Sequence, residues 1–308
     1  MPFGDALNSR QLRYFVCIAQ AGSFNAAADL LHIAQSALSR QMKDLEEELG
    51  GVLFDRGARG VSLSDSGKVL FERAKFILSQ LEEARTELLA QNKELLGTVR
   101  LMTPSSIAQV LLEPLLDRFL KQHPKVRLEL SEGLWGDASS RLLAGAVDVA
   151  VMSGSGKSDY IDLEPLASEQ MILVGRASDP VVSNKSIPVT ALAGLPLLMP
   201  AMTLERLRQF APDLTQKLDV SVYVESAPAI RALAASGWGY AVVPQSVLLG
   251  RIERRSIKGV PIRGFETLRQ IGMLRGRPIS RAMQELTAAL RREFAGFIHS
   301  GLMRRPTA

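Results

Sequence analysis

Residues 24–49, FNAAADLLHIAQSALSRQMKDLEEEL, constrain the fold of this chain more than any other stretch. They read as two short helices joined by a tight turn at residues 32–34. On the second helix Leu38, Met42, Leu45 and Leu49 recur at helical spacing and form one apolar stripe. Gln35, Ser36, Ser39, Arg40 and Lys43 fall on a different face, ~120° round at about 100° per residue. On the first helix Ala26, Ala27 and Leu30 are small or apolar enough for a close crossing, Ser23 is placed to cap the N-terminus, and Ile33 can plug the core from the turn. This pattern predicts a helix-turn-helix whose donor-rich face can enter a major groove. An ordinary helical hairpin with a solvated polar face has the same spacing.

The next residues favour the first reading. In LFDRGARGVSLSDSG, residues 53–67, Phe54, Val61 and Leu63 flank a glycine-rich turn bearing Arg56 and Arg59, as in a small hairpin or wing. Residues 12–56, LRYFVCIAQAGSFNAAADLLHIAQSALSRQMKDLEEELGGVLFDR, and residues 59–67, RGVSLSDSG, resemble the winged helix-turn-helix of LysR-type transcriptional regulators. Within that family the pattern resembles the branch of the nitrogen assimilation control protein, with Ala34 where a serine is commoner. That alanine removes an N-cap from the second helix and leaves Ser36 or Gln35 to compensate. The resemblance implies a regulator of promoter DNA whose binding is modulated by a small-molecule effector, with RNA polymerase a candidate further partner.

The totals bound the alternatives. A chain of 308 residues has room for two or three domains, and no run approaches the ~20 apolar residues of a membrane span. The start, MPFGDALNSR, lacks the charged-then-apolar pattern of a secretory signal, so the expected location is the cytoplasm. A single cysteine, Cys17, sits between Val16 and Ile18 and reads as a buried thiol. The net charge of +5 carries no argument for nucleic acid, because it lies at the wrong end. Residues 1–92 hold ten Lys or Arg against twelve Asp or Glu, a net of −2, whereas residues 251–308 hold thirteen against four, a net of +9. DNA binding therefore rests on where Arg40, Lys43, Arg56 and Arg59 point.

Taken in order, residues 8–21 fit one amphipathic helix through Leu12, Phe15, Val16 and Ala19, with Arg10 and Arg13 exposed on it. A long helix follows the wing, capped by Ser64 and running to about Gln91, ~42 Å at 1.5 Å per residue. Ala74, Leu81 and Leu88 fall seven apart, and so do Leu70, Ile77 and Ala84, which together predict a seam of period 3.5 and a partner helix. Residues 1–63 are thus expected to form the DNA-binding domain and 64–92 a dimerising linker. The resemblance adds a second pairing through the sensor domains, giving a homotetramer built as a dimer of dimers.

From Gly97 onward short apolar runs alternate with helical stretches: TVRLMT, VRLELSEG, VDVAVMS, QMILVG, LPLLMP, DVSVYVE and GYAVVP, with helices between them. This is a multidomain α/β signature. The resemblance to the family implies a periplasmic-binding-protein-like sensor in two subdomains, I from about 93–163 and 270–308 and II from about 164–269, with crossovers near residues 162–168 and 264–271. Ligands of open α/β sheets bind off the carboxyl ends of strands, where helix N-termini favour anions. That rule selects Thr103, Ser105 and Ser106 in one half and Ser226, at the position expected to match, in the other. Met199 and Thr203 stand on a further wall. Trp135, where the family more often has a small polar residue, is expected to line the cleft. The effector expected there is a small anion, a carboxylate with an apolar or aromatic body. Serines that merely cap helices would give the same pattern.

Other signals fail. GSGKS at residues 154–158 lacks the glycine a phosphate-binding loop needs, with Val151 in its place. His32, His123 and His299 have no metal-ligand spacing with Cys17, so neither a metal nor another cofactor is expected. No glycine-flanked nucleophile or carboxylate pair marks a catalytic site. The rival reading is a cytosolic solute-binding or enzyme-like α/β protein with a helical assembly module.

Overall fold

The computed structural model describes residues 7–57, 60–89, 95–154, 156–249 and 256–306. The chain divides into two compact units, Met1–Gly97 with Arg141–Ala146, and Thr98–Ser140 with Val147–Ala308.

In the first unit α1 (Ser9–Ala21) opens with a capping box: Asn8 accepts from the Gln11 N–H, and Gln11 accepts from the Asn8 N–H at 2.9 Å. Ser23 caps α2 (Phe24–Leu31), and His32, in the left-handed conformation at φ 54°, turns the chain into α3 (Gln35–Leu49). The wing is an antiparallel hairpin of β1 (Phe54–Gly57) and β2 (Gly60–Leu63). Glu46 on α3 ties it down by accepting from the N–H groups of Leu53 and Phe54 at 2.7 and 3.2 Å. Gly60, at φ 117°, is obligatory, since a Cβ there would stand 2.8 Å from the carbonyl oxygen of Gly22. Phe15, Phe24 and Phe54 cluster with ring centroids 5.1 and 5.6 Å apart over a core of Leu12, Ala27, Leu38, Met42 and Leu45. Each large side chain so buried contributes about 1.5–3 kcal/mol. Leu49, expected in the buried stripe, is instead 44 % exposed, because α3 ends there and Gly50 turns the chain away.

Ser64 accepts from the Gly67 N–H and caps α4 (Asp65–Leu89). The expected seam on this helix divides. Ala74 is buried in the core of its own unit and Leu70 packs against that core, with Phe71 and Leu78 beside them. Ile77 and Leu81 are 38 % and 46 % exposed, Ala84 is exposed too, and the side chain of Leu88 lies outside the described residues. The first two positions are therefore used by the subunit itself.

The second unit holds an eight-stranded sheet in the order β4-β3-β5-β10-β6-β9-β7-β8. Its first lobe runs β3 (Gly97–Thr103), α5 (Ser105–Gln122), β4 (Val126–Glu132), α6 (Trp135–Leu143) and β5 (Val149–Ser153). The second repeats that sequence as β7 (Pro196–Met199), α7 (Ala201–Phe210), β8 (Asp219–Tyr223), α8 (Ala227–Ser236) and β9 (Tyr240–Pro244). Two strands serve both lobes: β6 (Ile161–Arg176) and β10 (Ile257–Leu274) pair antiparallel along most of their length, β10 against β5 at one end and β6 against β9 at the other. Their register shifts between Pro261 and Glu266 and again between Arg269 and Gln270, which is where the sheet passes from lobe to lobe. Helix α9 (Arg281–His299) closes the chain and packs on α5 and β6.

This repeat corrects the pairing of loops expected from sequence. The turn that matches Pro104 between β3 and α5 is Pro200 between β7 and α7, so Thr203 is the counterpart of the Ser105 region; Ser226, between β8 and α8, matches the turn before Trp135.

Candidate DNA-reading face and effector cavity

On α3 the buried residues are Leu38, Met42 and Leu45, and Gln35, Ser36, Arg40 and Lys43 are exposed, with Ser39 half-buried between them. The polar stripe is thus free of the core. No side chain caps α3 at Ala34, contrary to the compensation expected of Ser36 or Gln35. The Gln35 side-chain amide instead donates to Ser39 Oγ at 2.8 Å, which fixes both along the helix. Lys43 Nζ lies 3.4 Å from Glu47, an exposed pair one turn apart that holds its ammonium only weakly. Arg40 carries the one guanidinium on this face. Arg56 stands in β1 opposite Val61, but its side chain, like Arg59 altogether, lies outside the described residues.

In the second unit a cavity of about 70 Å³ opens between the lobes, lined by Ser105, Ser106 and Ser153 from the first and by Thr203, Arg206 and Ala227 from the second, with Thr267 and Arg269 of the shared strand β10. Ser105 Oγ accepts from the Ala227 N–H at 3.4 Å, a hydrogen bond from one lobe to the other. The sequence had singled out Ser105, Ser106 and Thr203, and the structure brings these three to one cavity. The other candidates stand elsewhere. Met199 is wholly buried in the core of the second lobe. Thr103 is buried at the end of β3 behind the wall. Ser226 is exposed and caps α8 through the Ala229 N–H. Trp135 covers Gly156, where an added Cβ would meet its ring at 2.2 Å, and Leu134 takes the cavity-facing place.

Charged residues that sequence reasoning passes over stand on and behind the wall of this cavity. Arg269, 1 % exposed, donates to Glu169 through Nε at 2.8 Å and Nη2 at 2.5 Å, to Ser153 Oγ, and to Ser106 Oγ at 3.4 Å. Glu169 in turn accepts from the Ser246 N–H at 2.5 Å. This network joins Ser106 and Ser153 of the first lobe to the turn after β9 in the second. Arg206 donates to the Glu266 carbonyl and lies over the Phe265 ring at 5.7 Å. Burial, and then the like charge of Arg269, draw its pKa down to about 10. Glu225 accepts from the Ala201 N–H at 3.1 Å and so occupies the N-terminus of α7. Arg206 was within reach of sequence reasoning, since it follows Thr203 by three residues on a helix and shares its face. Glu169 and Arg269, a hundred residues apart, gave no local sign.

Known proteins align over nearly all of this architecture. The family model of the bacterial regulatory helix-turn-helix protein, lysR family, matches residues 9–68, and that of the LysR substrate binding domain matches residues 92–295. The nitrogen assimilation regulatory protein nac of Klebsiella aerogenes is 34 % identical over 244 residues, 78 % of this chain and 79 % of its own. The DNA-binding transcriptional dual regulator OxyR of Escherichia coli K12 is 25 % identical over 295 residues, covering 94 % of this chain and 97 % of its own. Among solved structures, CbnR complexed with its target DNA superposes with a TM-score of 0.69 at 24 % identity, covering 93 % of this chain and 100 % of that one. A full-length OxyR variant from Pseudomonas aeruginosa gives 0.71 at 22 %, covering 98 % and 99 %. At these identities the structural matches establish the fold.

Proposed function

Since the chain belongs to the LysR family, and is a DNA-binding transcriptional regulator with an effector-binding domain, we propose that it reads promoter DNA through α3 and that a small molecule in the cavity between the sensor lobes sets that binding. The observation that carries the reading is the division of α3 into a buried stripe and an exposed one of hydrogen-bond donors. Gln35 can pair with adenine and Arg40 with guanine in a major groove, and the wing arginines hold phosphate. One subunit offers a single such helix, so two are needed for a two-fold site. The exposed Ile77, Leu81 and Ala84 on α4 supply the pairing surface of a dimer, and pairing of sensor units makes a tetramer. The proposed location is the cytoplasm; among the described residues no helix is long and apolar enough to cross a membrane. The relatives named above are transcriptional regulators.

An effector held by both lobes favours the arrangement in which they close on it, and it can shift that equilibrium only by its difference in affinity for the two arrangements. The test is a gel shift with the intergenic DNA beside the chain's own gene at moderate salt. A sequence-selective complex is expected, with selectivity lost in Arg40→Ala. Binding that ignored sequence, or an Arg40→Ala variant with unchanged site preference, would overturn the assignment of α3.

A further inference from the structure

The chemistry of the cavity narrows what it can hold. Its walls are mostly aliphatic and thioether groups, among them Leu134, Met171, Ile230 and Val243, and among the described residues no aromatic ring lines it. With no ring to stack against, these walls suit a branched aliphatic body carrying a carboxylate better than an aromatic acid.

The charges on and behind the wall are matched unevenly. Glu169 is committed to Arg269 and to the Ser246 N–H, and Glu225 to the Ala201 N–H, where it already fills the anion position of α7. Arg206 meets a backbone carbonyl and a ring face but no carboxylate among the described residues. Its depressed pKa reports the same imbalance: a partly desolvated guanidinium with a like charge near it and no anion. Thr267, wholly buried on the same wall, has a hydroxyl with no hydrogen-bond partner among the described residues. Opposite, α5 starts after Pro104, which offers no side-chain cap. A guanidinium fork, an orphan hydroxyl and an uncapped helix start are a donor set for a carboxylate. Resting on the reading of this cavity as the effector site, we infer that the effector is an aliphatic carboxylate and that Arg206 is the residue that selects for its charge. Binding brings an anion to Arg206 without removing any partner that Arg206 now has, so the desolvation of the guanidinium favours the acid over any neutral isostere.

Calorimetric titration of the full chain tests this with isobutyrate, its neutral isostere isobutyramide, and benzoate. Isobutyrate should bind and raise the melting transition of the sensor unit, with isobutyramide at least tenfold weaker and benzoate weaker than isobutyrate. Arg206→Met should lose roughly 10–100-fold in affinity for isobutyrate, and Arg206→Lys should recover most of it. An apo melting transition unchanged in both variants shows that the fold is intact. Equal binding of the amide and the acid, unaltered affinity in Arg206→Met, tighter binding of benzoate, or no binding of isobutyrate at millimolar concentration each overturns the inference. Ser106→Leu separates this failure from that of the underlying reading. A neutral or aromatic ligand whose binding Ser106→Leu abolishes leaves the cavity as the effector site and removes only the carboxylate. Isobutyrate binding equally to wild type, Arg206→Met and Ser106→Leu removes both.

Discussion

Replacing Glu169 with glutamine should be among the most damaging single changes in the sensor unit. The carboxylate is 0 % and Arg269 1 % exposed, and the guanidinium donates to it twice, through Nε and Nη2. Glutamine keeps an oxygen for the Ser246 N–H but removes the charge, leaving a buried cation without a counter-ion. Breaking one side of such a pair costs about 3–5 kcal/mol. With a urea dependence of about 3 kcal/mol/M for a unit of this size, the midpoint should fall by roughly 1–1.7 M. The assay is selective, because both tryptophans of the chain, Trp135 and Trp238, lie in the sensor unit, so their fluorescence follows its unfolding alone. Adding Arg269→Met to Glu169→Gln should recover about half of the loss, since the stranded charge is then gone. The exposed pair Glu164 and Arg291, bonded at 2.6 and 2.7 Å, is the control, and Glu164→Gln should cost under about 1 kcal/mol. A Glu169→Gln cost no larger than that of Glu164→Gln, or a double variant less stable than the single one, would refute the argument that burial sets the magnitude.

Further changes test other parts of the molecule. Ala34→Ser supplies the cap that α3 lacks and should stabilise the DNA-binding unit by about 0.5–1 kcal/mol, read as a raised thermal midpoint; no gain would mean the backbone at Ala34 cannot present the hydroxyl. Leu81→Asp should dissociate the α4-mediated dimer in sedimentation without unfolding the subunit, whereas Leu78→Asp should unfold the first unit, and a Leu81→Asp variant of unchanged mass would count against pairing through α4. The Arg291 hydrogen bond, with its charge, holds the Glu164 carboxyl below its ordinary value. Because the folded-state pKa is the depressed one, the few tenths of a kcal/mol involved are present at neutral pH and fade as acid carries the group through that lower pKa, so Glu164→Gln should match wild type only in acid.

The helix-turn-helix was legible because it is local: caps, stripe and turn lie within 26 residues, and each acts over three or four positions. The α/β repeat was legible for the same reason, run by run. The long strands β6 and β10 were not, since Pro165, Pro261 and Gly264 interrupt their patterns and read as breaks. In the folded chain those residues sit at or beside the register shifts, where a lost ladder bond or a left-handed turn is tolerated. The cavity was half legible. Strand ends before helices give Ser105, Ser106 and Thr203, but position along the chain, the sole ground for Met199 and Trp135, does not say that β7 is buried on both faces and holds Met199 in the core of the second lobe. Arg206, Glu169 and Arg269 meet only after the second lobe folds back on the first, a relation that neither periodicity nor capping encodes.

The shared strand β10 also fixes an order of events during synthesis. The edge of β5 is closed only when Arg269 and its neighbours pair with Ser153 and the residues before it, so 269 − 153 = 116 further residues must be made first. At about 5–20 residues per second that is roughly 6–23 s in which β5 presents an open, apolar edge beside the growing chain. The second lobe needs β10 only as far as Pro261 to pair with β6, so the lobe begun later is finished first. A nascent chain stalled once Pro261 itself has left the exit tunnel should protect β6 and β9 from protease while β5 is cut, and the first lobe is then the segment that a chaperone meets.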